Sequence, residues 1–152
     1  MQSAEKIRKI LVAVDGSDKS LEAADNALSI ASIIEQVELI ILNVLDTQPW
    51  YHGKSAYGWA TEYIRNEIQQ RQKVLDKIKE KAEKFNIHPK TEILMSPQTT
   101  NTAAAIVNYA EKEEVNLIVI GTRGRTGITR VLLGSVASGV VTYSHCPVLV
   151  VK

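Results

Sequence analysis

The sequence predicts an α/β fold with an open five-stranded parallel sheet and helices on both faces. Five short apolar runs alternate along the chain with four segments whose apolar residues recur at helical spacing. The apolar runs are nearly continuous, which is typical of strands buried on both faces of a parallel sheet. Strands that alternate with helices are joined by right-handed crossovers, which place the helices on both faces.

The first half of the chain supplies two strands, one helix and a loop. We predict strands at 9–14 and 37–44, and Ser17 is a suitable N-cap for the helix between them. Residues 46–60 are rich in proline, glycine and aromatic side chains and are predicted to form a loop. Its aromatic residues, which span 50–59, lack a basic run, so we expect them to pack a loop or a dimer surface rather than stack on bases.

The second half continues the alternation of helices and strands. Its predicted elements are, in order, a long amphipathic helix, a strand, a helix, a strand, a helix and a C-terminal strand, at 62–86, 90–95, 103–110, 117–120, 132–140 and 147–151. The long helix could form a coiled coil, but one apolar stripe with charges elsewhere favours packing on the sheet.

Size and composition indicate a single domain and exclude several classes of protein. A chain of 152 residues can bury a core of its own. A net charge of +1 gives no electrostatic reason to expect a nucleic-acid or membrane partner. The single cysteine, Cys146, excludes an internal disulfide and is predicted to be a buried structural thiol. Because residues 1–9 are polar and charged, we expect a cytoplasmic location.

Residues 121–136 form a glycine-rich stretch directly after the fourth predicted strand. Gly121, Gly124 and Gly127 can expose backbone N–H groups, and Ser135, after Gly134, adds a hydroxyl where a helix begins. Unpaired N–H groups at a helix N-terminus favour anions, so we interpret the stretch as a polyphosphate site rather than a simple turn. Positive charge is added by Arg123, Arg125 and Arg130. Whether the last two contact phosphate or remain solvated is left open.

Asp15 follows the first predicted strand, as Gly121 follows the fourth. In open parallel sheets ligands bind outside the carboxyl ends of the strands, so both positions would face one crevice if these strands are neighbours. Sequence spacing alone does not establish that adjacency. We favour ligand contact over catalysis for Asp15. The histidines lack metal-ligand spacing, and the adjacent His145 and Cys146 are not expected to form a nucleophile pair.

The glycine stretch resembles the ATP-binding branch of the universal stress protein family, whose motif is G-2x-G-9x-G-[ST]. Gly121, Gly124, Gly134 and Ser135 match this spacing without a gap. The opening strand with its Asp-Gly-Ser and the closing Cys146-Pro-Val-Leu-Val-Val also match, so the resemblance covers essentially the whole chain. The Walker A pattern is absent, which excludes a P-loop protein.

This resemblance implies a strand order of 3-2-1-4-5 and ATP bound with Mg²⁺ across the first and fourth strands. The nucleoside contacts that it implies are those of Ala13, Asp15 and Val44, the last through its backbone. The phosphate contacts that it implies are those of Gly121, Arg123, Gly124, Gly134, Ser135 and Val136. The family also pairs its C-terminal strand across a two-fold axis. Since Val148–Val151 is apolar and would be a sheet edge, we expect a homodimer through it.

The chain departs from the common family pattern at two places. The turn after the third strand, at 95–103, is longer than the usual Gly-x-Pro type turn. Asn116 stands where an acidic residue is usual before the fourth strand, and we expect this change to affect local capping rather than the ligand.

We therefore interpret the chain as an ATP-binding universal stress protein, a nucleotide-dependent regulatory or stress-response module. No catalytic residue is predicted, because the sequence supplies no clear general base, and at most weak ATP hydrolysis is expected. No metal ligand is predicted either, because the histidines lack the required spacing. Two alternatives stay open. One is a slow ATPase or nucleotide-transforming enzyme that uses Asp15 and Mg²⁺. The other is a nucleotide-free dimeric interaction module in which the glycines only shape loops.

Overall fold

The structure, a computed structural model, describes residues 6–46, 57–96, 99–122 and 133–152, and the side chains of its second range from residue 62 onward. The strands are β1 Lys9–Ala13, β2 Glu38–Asp46, β3 Lys90–Ser96, β4 Leu117–Gly121 and β5 Val148–Val151. The helices are α1 Asp18–Ile33, α2 Tyr57–Glu83, α3 Thr102–Lys112 and α4 Ser135–Tyr143. Strands and helices alternate as the sequence predicts.

All five strands lie in one parallel sheet with the order β3-β2-β1-β4-β5. The central strand β1 pairs with β2 on one side and with β4 on the other, so that Val12 lies between Ile41 and Val119. The predicted fold class and the strand order implied by the family resemblance are therefore confirmed.

Alternate residues of each strand enter two separate cores. Ile10 and Val12 of β1 pack with α1 and α2, whereas Leu11 and Ala13 pack with α3 and α4. Successive side chains of a strand point to opposite faces, so a strand covered on both faces must be apolar at every position. This requirement explains the continuous apolar runs of β1, β2 and β4.

The long helix packs on the sheet through Leu75, Ile78 and Ala82, which are buried in the α1 and α2 core. Phe85 lies within the helix predicted at 62–86, but it is 57% exposed because α2 ends at Glu83. The turn that follows the helix contains Asn86, whose φ of 61° is left-handed. A side chain beyond the last turn no longer follows the helical stripe.

Other predicted boundaries are wrong by two to four residues, including those of the helix predicted at 132–140, which is α4 at Ser135–Tyr143. The loop expected at 46–60 is helical from Tyr57 onward, because each residue added to an existing helix gains a backbone hydrogen bond despite the loop-like composition. Residues 47–56 of that loop lie outside the described part of the chain. Strand β2 continues to Asp46 rather than 44, since its pairing with β3 extends to Asp46 and Ser96.

Asn116 joins the amino ends of two neighbouring strands. Its Oδ1 accepts hydrogen bonds from the backbone N–H groups of Arg8 and Lys9, both at 3.0 Å. An amide oxygen can therefore satisfy both N–H groups where an acidic residue is usual in the family. This contact lies at the end of the sheet opposite the glycine stretch, as expected of a capping role without a ligand.

Candidate functional site

The carboxyl ends of β1 and β4 lie side by side at the switch point of the sheet. Ala13 pairs with Ile120, which confirms the adjacency that the family resemblance implied and that sequence spacing alone did not establish. The helix that follows β1 covers one face of the sheet and the helix that follows β4 covers the other. The chain thus turns away in opposite directions from two adjacent strand ends, which opens a crevice where ligands bind in folds of this kind.

A tight turn at the end of β1 orients the Asp15 carboxylate. Its Oδ1 accepts hydrogen bonds from the backbone N–H of Ser17 at 2.9 Å and from the Ser17 hydroxyl at 2.6 Å. Ser17 in turn caps α1, as predicted, by accepting from the backbone N–H of Ser20. Gly16 takes a φ of +85°, which favours glycine at that position. Asp15 is therefore fixed at the mouth of the crevice and half-buried there.

The backbone of Val44 faces the space beyond the end of β1. The carbonyl of Leu42 accepts a hydrogen bond from the N–H of Val14 at 2.9 Å, so the peptide groups at this position of β2 point toward β1. Because the direction of the backbone N–H and C=O groups alternates along a strand with a period of two, those of Val44 point to the same side as those of Leu42. At this level β1 has already ended. Its backbone polar groups thus border the same crevice as Asp15.

A buried polar network, which the sequence analysis missed, lies beneath this end of β2. Asn43 is 1% exposed and donates from Nδ2 to the carbonyl of Val14 at 2.7 Å. Arg71 Nη1 donates to Asn43 Oδ1 at 2.7 Å and lies 3.3 Å from the carbonyl oxygen of Val44. Arg71 also pairs with Glu67 at 3.3 Å. The available signals were one asparagine inside an apolar strand and a Glu–Arg pair at helical spacing.

Gly121 is required by the packing of α1. A Cβ atom at this position would lie 2.7 Å from the backbone carbonyl oxygen of Lys19, in the first turn of the helix. Real Cβ atoms do not approach backbone so closely, and backbone cannot rotate away as a flexible side chain can. Packing against α1 thus requires glycine at position 121 of the motif whether or not a ligand binds.

The chain leaves β4 at Thr122 and returns to it at Gly134. The N–H of Thr122 donates to the carbonyl of Val151 at 2.8 Å, and its own carbonyl accepts from the N–H of Gly134 at 2.7 Å. The glycine stretch therefore begins and ends at one point beside the crevice. Two predicted site residues in it, Arg123 and Gly124, lie outside the described part of the chain, which resumes at residue 133.

The N-terminus of α4 has no side-chain cap among the described residues. Gly134 occupies the N-cap position, and the first helical hydrogen bond runs from the N–H of Ser138 to its carbonyl. The N–H groups of Ser135, Val136 and Ala137 consequently have no acceptor within the helix. By contrast, Ser17 caps α1 and Asn101 caps α3. Together with the helix dipole, these N–H groups and the exposed Ser135 suit a phosphate group.

His145 and Cys146, which the sequence does not favour as a nucleophile pair, precede the amino end of β5 and so lie at the end of the parallel sheet opposite the crevice. His145 Nε2 lies 3.1 Å from the carbonyl oxygen of Val115, and the Cys146 sulfur lies 3.5 Å from the Ser144 hydroxyl. Cys146 is half-buried rather than fully buried, because the edge strand β5 leaves the turn before it partly open. Within the four described ranges, no group of three or more His, Cys, Asp and Glu side chains could hold a metal ion.

In the same ranges, no helix combines the length and apolar character that crossing a membrane requires.

Comparison with known proteins bears on the whole chain. The family described as the universal stress protein family matches residues 6–152. A universal stress protein of Methanocaldococcus jannaschii is 41% identical over 147 residues, which are 95% of this chain and 82% of that protein. The solved structure of universal stress protein UspA from Lactobacillus plantarum superposes with a TM-score of 0.86 at 28% identity, covering 98% of this chain and 100% of the other.

A third likeness concerns the fold alone. The universal stress protein from Archaeoglobus fulgidus, solved in complex with dAMP, superposes with a TM-score of 0.69 at 21% identity and covers 97% of this chain and 100% of that one. The family match, the close relative and the shared strand order agree. This chain belongs to the universal stress protein family.

Proposed function

We propose that this protein binds ATP, together with Mg²⁺, in the crevice at the ends of β1 and β4 and acts as a nucleotide-dependent regulatory module of the stress response. The observation that carries the proposal is the α4 N-terminus without a described cap, which the hydrogen bond between Gly134 and Thr122 holds at the switch point. Unpaired N–H groups at that place favour a polyphosphate. The complete glycine-serine motif of the ATP-binding branch supports the same ligand.

The nucleoside half of the ligand would lie against β1 and β2. Ala13 lines the wall, and the Asp15 carboxylate, held by Ser17, is oriented to accept from the ribose hydroxyls. The backbone of Val44, directed beyond the end of β1, offers polar groups to the adenine edge. The dAMP complex of the Archaeoglobus protein shows that a protein of this fold can hold an adenine nucleotide.

The phosphate half would lie against the motif. Backbone N–H groups of Ser135 and Val136, with the Ser135 hydroxyl, would hold the outer phosphates at the start of α4. In the family pattern Gly121, Arg123 and Gly124 approach the ribose and the first phosphates. Hydrogen bonds to charged oxygens are stronger than neutral ones, so several of them together can hold the ligand in spite of its ordering.

We propose regulation rather than turnover as the consequence of binding. Occupancy would favour one arrangement of the glycine stretch or of the dimer over another. A slow ATPase that uses Asp15 and Mg²⁺ is the alternative. Because the Asp15 carboxylate already accepts two hydrogen bonds from Ser17, we favour its role in orienting the ligand over a role as general base.

We also propose that the chain is one domain that forms a homodimer through β5. The strand is an edge of the sheet, and apolar side chains are exposed beside it: Tyr143 is 73% and Leu149 is 36% exposed. An unpaired apolar edge favours pairing with a second copy. A nucleotide-free dimeric interaction module would use the same edge, so the dimer alone does not separate the two functions. A cytoplasmic location stays a prediction of the sequence.

The first test is the nucleotide content of the purified protein, measured by chromatography after denaturation. Stoichiometric ATP is the expected result, and it would also indicate slow hydrolysis. Empty protein is then titrated with ATP and MgCl₂ by calorimetry, where the absence of heat would leave the nucleotide-free module as the better explanation. Gly124→Val should abolish ATP binding with the circular dichroism spectrum unchanged, because the added bulk occupies the place where the motif brings backbone to phosphate.

A further inference from the structure

The guanidinium group of Arg71 joins α2 to the ends of two strands. Its Nη1 donates to Asn43 Oδ1 at 2.7 Å and lies 3.3 Å from the carbonyl oxygen of Val44. Asn43 continues the connection, since its Nδ2 donates to the carbonyl of Val14 at 2.7 Å. One arginine and one asparagine therefore fix the end of β2 relative to the residue that precedes Asp15. These two strand ends are the walls proposed to hold the nucleoside.

Arg71 is placed to act on the site through other groups rather than by touching a ligand. Its side chain is 15% exposed, and its Nε is buried and has no hydrogen-bond partner among the described residues. Nη1 is already directed at two oxygens, and Nη2 lies 3.3 Å from Glu67. Glu67 is itself held, because its other oxygen accepts from the hydroxyl of Tyr63 at 3.0 Å. The group is thus anchored from α2 and faces the strand ends.

We propose that Arg71 is a positioning residue that sets base selectivity, an inference that rests on the proposed nucleotide function. Adenine carries an amine donor where guanine carries a carbonyl acceptor. A peptide group whose carbonyl is held in one orientation accepts from the amine of adenine and repels the oxygen of guanine. Arg71 supplies that orientation, because it bonds the Val44 carbonyl from the α2 side while Asn43 fixes the strand beside β1.

The shape of the guanidinium matters as well as its charge. Arg71 reaches Asn43, Val44 and Glu67 with a planar fork of donors. A lysine ammonium is a compact point charge and cannot reproduce that fork. Glu67 balances the arginine charge, so the network adds little net charge to the crevice. Selectivity should therefore depend on arginine itself and fall in part when lysine replaces it.

The test compares the affinities for ATP and GTP, each with MgCl₂, in calorimetric titrations of the wild type, Arg71→Met and Arg71→Lys. We expect the wild type to prefer ATP. Losing one oriented polar contact typically raises a Kd about tenfold. Arg71→Met should therefore raise the Kd for ATP about tenfold and change the Kd for GTP much less. Arg71→Lys should also reduce the preference for ATP over GTP, but by a smaller factor than Arg71→Met does. Lys73→Met is the matched control, since Lys73 is an exposed residue of α2 with the same charge as Arg71. The ratio of the Kd values for ATP and GTP in this variant should equal that of the wild type.

Selectivity separates positioning from a purely structural role. If Arg71 only stabilised the fold, Arg71→Met would weaken ATP and GTP binding equally. The ratio of the two Kd values would then stay at its wild-type value, and that result would overturn the inference. Thermal unfolding verifies that each variant is folded. If Arg71→Met does not fold, an unchanged ratio in Arg71→Lys overturns the inference instead. A wild-type protein that binds neither nucleotide contradicts the proposed function itself, and one that binds both equally contradicts only the role of Arg71.

Discussion

The backbone N–H of Gly134 donates to the carbonyl oxygen of Thr122 across 2.7 Å, and this contact brings the start of α4 to the end of β4. Twelve positions separate the two residues along the chain, yet they meet beside β1 at the switch point. The N–H groups that have no acceptor within the helix are thereby placed where two strand ends diverge. This relationship makes the last part of the glycine motif one half of the candidate site.

Replacing Ser135 by alanine should weaken ATP binding while AMP binding is retained. The hydroxyl is exposed at the first helical position of α4, where the outer phosphates are proposed to lie. A hydrogen bond to a charged group contributes about 1.5–3 kcal/mol, so we expect the Kd for ATP to rise about 10- to 100-fold in calorimetric titrations. AMP lacks the outer phosphates and should bind almost as before.

Ser138→Ala is the matched control for that experiment. Ser138 is exposed on the next turn of α4, and its hydroxyl is not expected to face the ligand. An ATP affinity equal to that of the wild type is expected. Equal weakening of ATP and AMP binding by Ser135→Ala would place the hydroxyl near the first phosphate instead of the outer ones.

Replacing Gly121 by alanine should destabilise the fold even in the absence of nucleotide. The new Cβ would lie 2.7 Å from the carbonyl oxygen of Lys19, which belongs to backbone and must move with α1. Overpacking of this kind typically costs about 1–3 kcal/mol, and the midpoint of urea unfolding should fall accordingly. An unchanged midpoint would mean that α1 shifts freely on the sheet.

Gly139 provides a comparison in which the obstacle is a side chain. A Cβ at Gly139 would lie 2.6 Å from the Cβ of Ala103 on α3, so Gly139→Ala should also lower the midpoint. Adding Ala103→Gly removes the obstructing atom, and the double variant should be less destabilised than the sum of the two single changes. Strict additivity would contradict the close packing of α3 and α4.

Tyr109 should make the stability of the protein fall between about pH 10 and pH 12. Burial, and then the 2.6 Å hydrogen bond to Glu92, raise the pKa of Tyr109 to about 12. Because the folded state retains the proton more strongly than the unfolded state, the stabilisation is complete below the ordinary tyrosine pKa of about 10 and is lost as pH rises through the folded value. Urea unfolding measured at several pH values should show this decline.

Tyr109→Phe separates this effect from the titration of lysines in the same range. The variant should be less stable below pH 10 by about 1 kcal/mol, the usual contribution of a hydrogen bond. Its stability should also fall less between pH 10 and 12, because the hydroxyl that titrates is missing. Ultraviolet titration of the phenol gives an independent check, and a normal pKa for Tyr109 would refute the prediction.

Replacing Leu149 by glutamate should dissociate the proposed dimer. Leu149 lies on the edge strand β5, and a charged side chain at such an edge opposes pairing with a second strand. Light scattering should therefore change from twice the chain mass of 16.8 kDa to that mass alone. Leu21→Glu is the control, because Leu21 has nearly the same exposure, 38% against 36%, but belongs to helix α1 and not to the edge strand. A monomeric wild type would contradict the dimer directly.

The periodic patterns of the sequence predicted the number, kind and order of the elements. A strand buried on two faces or a helix with one apolar stripe is recognised from residues that are close together in the sequence. The same holds for the N-cap Ser17, which is a serine directly before a helical pattern. Ends of elements were predicted less well. Strand β2 reaches Asp46 because β3 pairs with it, and that partner lies far along the chain.

The contacts that build the candidate site depend on packing across the sheet. Asn43 and Arg71 are 28 positions apart, and neither carries a local signal that it meets the other. The close approach of Gly121 to Lys19 likewise appears only when α1 lies against β4. A glycine in a motif can be predicted from spacing, but the atom that would collide with its Cβ cannot.

Local periodicity and the glycine-serine spacing were therefore sufficient for the fold class and the family, since both depend on neighbouring residues. The assembled sheet confirmed that β1 and β4 are neighbours, which the family resemblance implied and sequence spacing did not establish, and it alone placed the N-terminus of α4 beside them. The same assembly placed Arg71 beneath the end of β2. The physical reason is that a crevice forms between elements distant in sequence, and their separation is determined by packing rather than by local conformation.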